Sequence, residues 1–458
     1  MKFYSIKNNS YTPFVGTGWC KEYPEIDREY VWYYPLQYGG NAFNPKNIFT
    51  KAKVPLASND GVVYIHVPAC LFRCAICPFY VELIESRREL LGYAQAIIQE
   101  LRMYTKAELT KHLNLKTIYF GGGTASLLYP EDIKCIIDEI KEIIPNNNNI
   151  EITLEGHPST VDYNYLSSVH AYGVNRVSYG IQTFDQKTLS SLGLKQTVEE
   201  NEKVLKDSLE IGFKTVAADL LYRTPNQSLE DLKVQLDRYF DIGVHSISTY
   251  SLELSVRQGA LFNKLPSEED DKEMFYFINN YMKEKGWIHI AQPDYAHPDH
   301  IQQELLTSWK APQGQIIGLG AGACSSFNGN NYYNVHDIKE YLNVVSEGCL
   351  PVLTGQEYSL ADALSRYMVL GVRCFEISKS NFENKFGKKI DKLFESEIKE
   401  LVEKGLIEAD DLIRVTEKGK YYIDNISKKF YTNDNKGHLQ PWGEKMKGAI
   451  SNFYLKVD

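Results

Sequence analysis

Cys70, Cys74 and Cys77 stand in the run VVYIHVPACLFRCAICPFY, and their C-x3-C-x2-C spacing constrains this chain more than any other feature. It places three thiolates on one short loop, close enough to hold three corners of a cubane iron–sulfur cluster. Such clusters are normally held by four cysteines, so three protein ligands leave one iron open to something else. The apolar stretch Val62 to Val67 alternates like a strand and delivers the loop from a strand end. A zinc knuckle, a disulfide pair and three unrelated thiols are the competing readings. Structural zinc takes four ligands, and no fourth Cys or His lies nearby at knuckle spacing.

From residue 61 the chain repeats strand and helix, the pattern of a parallel sheet. Strands are expected at Val62–Val67, Thr117–Phe120, Glu151–Glu155, Arg176–Tyr179, Thr215–Asp219 and Ser246–Tyr250, with amphipathic helices such as Leu90–Tyr104 and Glu131–Ile144 between them. The expected fold class is α/β, a partial (β/α)6 barrel. Polar and small residues gather where these strands end. Gly121, Gly122, Gly123 and Thr124 follow the second strand, Glu155 ends the third, Gln182 lies just past the fourth and Asp219 ends the fifth. Those are the positions where barrel enzymes build sites. Glycines there let backbone groups approach a ligand without a Cβ in the way, although three glycines alone would also make a tight turn.

The runs YIHVPACLFRCAIC, YFGGGTASLL, ITLEGHP, VNRVSYGIQTFD, VAADLLYRTPNQ and GLGAGACSSF occur in that order. Together they resemble the radical S-adenosylmethionine enzymes, in the branch related to oxygen-independent coproporphyrinogen III dehydrogenase. The resemblance spans about Val62 to Phe327 and continues more weakly to about Ile426. It implies a radical SAM barrel with a [4Fe-4S] cluster on Cys70, Cys74 and Cys77, and S-adenosylmethionine, one molecule or two, as cofactor. It further implies that Gly122, Gly123 and Thr124 hold the methionine moiety. Glu155 and Asp219 fall to the cofactor's polar groups, Gln182 to its adenosyl part, and Tyr64 to a further contact. Ile76 stands where the family often has an aromatic residue near the adenine, and offers apolar contact without stacking. Cys324, in GAGACSSF, stands where an apolar residue lines the adenine pocket, a buried thiol without a role being the alternative. The implied chemistry is one-electron cleavage of the cofactor to a 5′-deoxyadenosyl radical, by a cluster able to reach the low end of a range extending to about −700 mV.

Departures from the family pattern bear on the reaction. The dehydrogenase usually carries a fourth cysteine two residues after the third, where Phe79 stands here. An arginine after the fourth strand becomes Leu194 in SSLGLKQT, with Lys195 beside it, and lysine does not reproduce arginine's planar fork. The His-Asn-x-x-Tyr-Trp run of the haem-chaperone relatives keeps only Trp309, in ELLTSW. These departures argue against the porphyrinogen dehydrogenase and against the haem chaperone. Conversely, LEGHP (Leu154–Pro158) and DLLYRTPNQ (Asp219–Gln227) resemble natural-product methyltransferases and cyclopropanases of this branch. The expected reaction is therefore methyl or methylene transfer to an sp2 carbon of a planar substrate, using a second S-adenosylmethionine. His157 and Arg223 would line the second cofactor or substrate site, a turn-stabilising His and a surface Arg being the plainer alternatives. Tetrapyrrole chemistry is the alternative reaction, as oxidative decarboxylation of coproporphyrinogen III or anaerobic haem opening. An enzyme of the latter kind shares the Phe-Tyr pair seen here as Phe79-Tyr80.

Composition narrows the rest. With 458 residues and a formal charge of -9, the chain carries no dense basic cluster, so no nucleic-acid partner is expected. The pattern after Ser359 is helical with a short hairpin, Gly405 ending one helix and Asp410–Thr416 making a wing-like turn. A cluster-containing DNA-binding redox sensor is thus the rival class, weakened by the balanced charge of that segment. Eight cysteines in so long a chain are not a disulfide framework, and no signal peptide or membrane span is expected. The expected setting is a reducing cytoplasm, and the expected partners are a small-molecule substrate and a one-electron reductant of flavodoxin or ferredoxin type. The expected organisation is an arm over 1–60, a barrel with accessory region over 61–350, and a winged-helix-like module with a tail over 351–458.

Overall fold

The structure, a computed structural model, describes residues 43–77, 79–145, 149–252 and 264–433, together with 31, 34, 35, 455 and 456. Most of the expected arm, and the tail with His438 and Trp442, lie outside the described residues. The strands β1 (Asp60–Val67), β2 (Asn114–Gly122), β3 (Glu151–Gly156), β4 (Arg176–Gln182), β5 (Thr215–Tyr222) and β6 (Ser246–Ser251) pair in parallel in chain order. They build the curved wall expected from the strand–helix repeat. Each is covered outside by a helix whose apolar spacing follows the helical period. In α1 (Tyr93–Met103) the buried set includes Tyr93, Ala94, Ile97, Ile98 and Leu101; in α2 (Pro130–Ile143) it is Ile133, Ile136, Ile137 and Ile140.

Local signals fix where the elements begin and end. Thr197 and Glu200 form a capping box at the start of α3 (Val198–Ile211), and Ser228 and Asp231 do so for α4 (Leu229–Ile242). Both helices stop at a glycine in the left-handed region, Gly212 at φ 91° and Gly243 at φ 90°. The chain then turns directly into β5 and β6. Strand carboxyl ends therefore all lie on one rim.

The sheet is wider than the six expected strands. It has 12 strands, and β7 (Ile288–Ala291) and β8 (Asp294–Ala296) add antiparallel beyond β6, in the order β6-β8-β7. On the other side β9 (Gln315–Leu319) pairs parallel to β1, followed by antiparallel β10 (Cys324–Phe327), β11 (Asn330–Asn334) and β12 (Val352–Glu357). The sheet thus runs past the expected boundary at residue 350. Strand β11 has the sequence NNYYN, which by composition reads as loop, yet it is buried throughout. The side-chain N–H groups of its asparagines find fixed acceptors: Asn331 donates to Pro35 O at 2.9 Å and Asn334 to Gly320 O at 2.9 Å.

A buried carboxyl pins the turn after β9. Glu100 on α1 accepts from Gly320 N at 2.9 Å, Asn334 Nδ2 at 2.7 Å and Tyr341 OH at 2.7 Å. Burial pushes this carboxyl up to about 7. Because the folded value lies above the unfolded one, its contribution is fully present below the usual carboxylate range and is lost as pH rises through about 7. Glu100→Ala is expected to lower stability by about 3 kcal/mol at pH 5 and by less at pH 8, read from urea unfolding midpoints.

The C-terminal module has its own apolar core. It starts with α5 (Leu360–Gly371) and contains a three-stranded sheet in the order β13 (Glu376–Ser378), β15 (Leu412–Val415), β14 (Ile407–Ala409). The β14–β15 hairpin turns at Asp410 and Asp411, where the wing was expected. Among the described residues no helix is long and apolar enough to cross a membrane.

Candidate functional site at the strand ends

Beyond β1 the chain passes Pro68 and enters the cysteine loop. The loop is closed at its root: Glu82 N donates to Pro68 O at 2.8 Å and Ile84 N to Cys70 O at 3.0 Å. Inside it, Cys77 N donates to Cys74 O at 3.2 Å, a tight turn that brings two of the thiols round. Cys74 and Ile76 rest on an apolar seat of Leu189, Leu192, Leu194, Leu221 and Leu252. Leu194, in the place of the family's arginine, is thus part of the loop's foundation. His157 meets Phe72 edge-on at 5.0 Å and lies 3.2 Å from Gln196 Oε1, and Gln196 Nε2 donates to Gly180 O at 3.0 Å. The loop is therefore propped from β3 and β4.

The three thiols sense one another. Burial raises all three, and at Cys74, pushed up to about 11, the neighbouring Cys77 and Cys70 raise it further. Arg73 opposes the rise at Cys70 and Cys77, and Lys195 opposes it at Cys74. Thiolates crowded in this way need a positive body among them. All three are free cysteines, which removes the disulfide reading. Among the described residues no group of three or more His, Cys, Asp or Glu side chains is gathered closely enough to hold one metal ion. A soft, three-thiol donor set on one loop fits an iron–sulfur cluster held at three corners.

The glycine run, whose Gly121 and Gly122 still belong to β2, packs against the root of that loop. Gly123 N donates to Val67 O at 2.8 Å, and Cys70 Sγ lies 3.4 Å from Thr124 Oγ1. A Cβ on Gly123 would sit 2.8 Å from Ala69 O and 2.9 Å from Cys70 Sγ. One on Gly121 would sit 2.9 Å from Glu155 Oε2 and 3.1 Å from the Tyr64 ring. Glycine at these positions is what lets β2, the cysteine root and Glu155 share one corner.

Inside the wall, Tyr64 OH lies 2.8 Å from His66 Nδ1, and its ring is 6.0 Å from that of Tyr119. Tyr119 OH donates to Glu155 Oε1 at 2.6 Å. Burial raises Glu155 and Asp219; at Asp219 the charges of Glu155 and Asp294 raise it further, while Arg176 opposes both rises. Asp294 is pushed up to about 6 and Glu304 to about 7, again by burial. Arg176, at the start of β4 and 2% exposed, gives Nη2 to Gln302 at 3.2 Å, while its Nε and Nη1 have no hydrogen-bond partner. Cys324, raised to about 12 by burial, is close enough to Tyr64 for its charge to be felt there.

The structure brings Tyr64, Glu155, Asp219 and Cys324 into one interior group, and Gly122, Gly123 and Thr124 against the cysteines. Ile76 belongs to the leucine seat instead. Gln182 ends β4 in the left-handed region at φ 68°. Tyr119, Arg176, Asp294 and Glu304 went unread in the sequence. The signal for Arg176 was a charged residue opening an otherwise apolar strand, and for Tyr119 the alternation of TIYF. Of the two second-site candidates, His157 accepts from Ser159 N at 3.2 Å, the turn-stabilising role, besides propping the loop. Arg223 is not a surface residue: it is 7% exposed and its Nε donates to Pro266 O at 3.0 Å.

Comparison with known proteins then places the whole. The family model of the radical SAM superfamily matches residues 64–239, and that of the HemN C-terminal domain matches 358–422. The heme chaperone HemW of Bacillus subtilis is 30% identical over 368 residues, covering 78% of this chain and 95% of the chaperone. The oxygen-independent coproporphyrinogen III oxidase of Synechocystis is 24% identical over 410 residues, covering 84% and 87%. The solved structure of coproporphyrinogen III oxidase (HemN) from Escherichia coli superposes with a TM-score of 0.76 at 22% identity, covering 88% of this chain and 97% of that one. Its likeness shows the fold: a mixed α/β radical SAM architecture with a helical C-terminal domain.

These matches overturn the expected methyl or methylene transfer. The relatives are heme chaperones and coproporphyrinogen oxidases, and the closeness to natural-product methyltransferases is not borne out. The physical reason lies in what the departing residues do. Leu194 seats the cysteine loop, and Arg223 and His157 tie loops.

Proposed function

The chain belongs to the radical SAM superfamily, in the branch of the heme chaperone HemW and oxygen-independent coproporphyrinogen III oxidase, and from that premise we propose that its substrate is a tetrapyrrole. A [4Fe-4S] cluster and S-adenosylmethionine are its cofactors. When bound, the cluster supplies the low-potential electron that cleaves S-adenosylmethionine. The chain's own residues hold, orient and enclose. Cys70, Cys74 and Cys77 ligate three irons on a loop fixed by the leucine seat and by His157 against Phe72. Gly122, Gly123 and Thr124 offer backbone and hydroxyl to the methionine moiety. Glu155, kept in place by Tyr119, and Asp219 take the cofactor's donor groups, with Tyr64, Gln182 and Cys324 completing its surroundings. Water is kept out by the strand wall below and by the C-terminal module, and the cofactor does the difficult chemistry. An external one-electron reductant and a reducing cytoplasm go with this reading.

One observation supports the choice of substrate above the others. Similarity extends along 95% of a heme chaperone at 30% identity, so it includes the barrel, its antiparallel extension and the C-terminal module together. Anaerobically reconstituted protein is expected to bind haem or coproporphyrin III with a shifted Soret band. Reduced protein is expected to release 5′-deoxyadenosine at least about tenfold faster with its tetrapyrrole than without. A Soret band unmoved by either compound would count against the substrate class.

A further inference from the structure

A cavity separate from the cysteine loop opens between the edge of the main sheet and the C-terminal module. Its walls include Gln313 ahead of β9, Ser326 on β10, Tyr358, Arg366 on α5 and Phe386. About 30 Å³ of it is open to the centre of a water molecule. That is room for about two waters or one small oxyanion group.

Two buried polar atoms on this cavity lack partners. Arg366 is 6% exposed and its Nε has no hydrogen-bond partner. Gln313 is 1% exposed; its Nε2 is committed to Trp309 O at 3.0 Å and Tyr367 O at 3.2 Å, and its Oε1 has no partner. Those two bonds fix which way the amide faces, so the free oxygen is a feature of the packing. A guanidinium out of water is strongly disfavoured until an anion meets it. The nearest hydroxyls do not serve as one: Ser326 Oγ and Tyr358 OH lie 2.7 Å apart, and Tyr358 OH donates to Asn331 Oδ1 at 3.0 Å.

We propose that this cavity is a carboxylate-binding subsite, in which Arg366 meets the carboxylate of a short side chain and Gln313 Oε1 accepts from a water or acid proton carried in with it. The apolar walls, among them Val54, Ala363 and Phe386, suit a methylene chain leading to that carboxylate. The subsite lies toward the amino end of β9, where Gln315 pairs with Gly61 at the start of β1. Cys324 and Ser326 alternate on one face of β10, and the charge of Arg366 is felt at Cys324. A carboxylate-bearing substrate lying along that face would reach both. Where the carboxylate belongs to a tetrapyrrole, the proposal rests on the functional reading above; a free short-chain acid would offer the same group.

The test uses the full chain and Arg366→Met, with propionate and its uncharged analogue propionamide as probes. Propionate is expected to raise the melting temperature of the parent protein and to bind Arg366→Met at least about tenfold more weakly, while propionamide does neither. Without any probe, Arg366→Met is expected to melt higher than the parent, since it removes a buried guanidinium whose Nε has no partner. Arg366→Lys, which keeps the charge, should retain part of the propionate effect, and it stands in if the Met variant fails to fold. Equal protection of parent and Arg366→Met, or none of the parent, would overturn the subsite. Coproporphyrin III then identifies the source: displacement of propionate marks the carboxylate as the substrate's, and binding of both together marks it as a free acid's. If coproporphyrin III does not bind at all, the tetrapyrrole reading fails while the propionate result still decides the subsite.

Discussion

Replacing Cys74 by alanine is expected to abolish cluster assembly and S-adenosylmethionine cleavage together, with at least about a thousandfold loss of 5′-deoxyadenosine formation. Cys74 is the thiol most affected by its two neighbours and the one anchored on the leucine seat, so removing it empties a corner without loosening the loop. A fold that survives is expected, because the seat keeps its five leucines. Circular dichroism and melting should therefore match the parent, while iron, sulfide and the cluster's visible absorbance disappear. Cys135 is the internal control: it is exposed and far from the loop in sequence, and Cys135→Ala should leave all five readouts unchanged. Cofactor cleavage by a Cys74→Ala protein without iron would be incompatible with the assigned site.

The second large effect is expected from one methyl group. A Cβ on Gly123 meets Ala69 O at 2.8 Å and Pro68 C at 3.0 Å, both backbone, besides Cys70 Sγ at 2.9 Å. Backbone cannot swing aside as a flexible side chain can, so the root of the cysteine loop must shift. Overpacking of this kind costs about 1–3 kcal/mol. The functional loss should be larger, about a hundredfold in cleavage rate, because it displaces both Cys70 and the glycines proposed to hold the cofactor. Gly123 carries no positive φ, so the effect is steric and is not a matter of backbone strain. Gly212→Ala gives the contrast: φ is +91° but nothing lies within 4 Å of the new Cβ. That variant should lose about 1 kcal/mol of stability and no cofactor chemistry. Cleavage rates and melting temperatures of the two variants separate the alternatives.

What the sequence made legible follows from where each signal lies. Strands β1 to β6 alternate with capped amphipathic helices, so both periods are visible and the wall could be written down in order. The antiparallel strands could not. Strand β11 is asparagine and tyrosine, and it stays in the sheet because fixed acceptors take its side-chain amide N–H groups, a tertiary condition that no local pattern displays. The same distinction holds within the site. Glu155 near the end of β3, and Asp219 inside β5, which runs on to Tyr222 past its expected end, are polar residues on apolar strands and announce themselves. Asp294 and Glu304 come from the short β8 and the helix after it, and only folding sets them beside Arg176.

A family pattern distinguishes chemistry from support poorly at Leu194, His157 and Arg223. Each proves to hold a loop or fill a seat. Substitutions under a cysteine loop can change while the loop's ligands and rim stay as they are, because the seat requires only volume and apolarity.

The most direct measurement is product analysis with methyl-deuterated S-adenosylmethionine, using reconstituted and reduced protein with haem or coproporphyrinogen III under strict anaerobiosis. The expected result is 5′-deoxyadenosine without deuterium from the cofactor's methyl group, formed in step with loss of the tetrapyrrole. Deuterium in 5′-deoxyadenosine together with S-adenosylhomocysteine, or cleavage indifferent to either tetrapyrrole, would contradict the account.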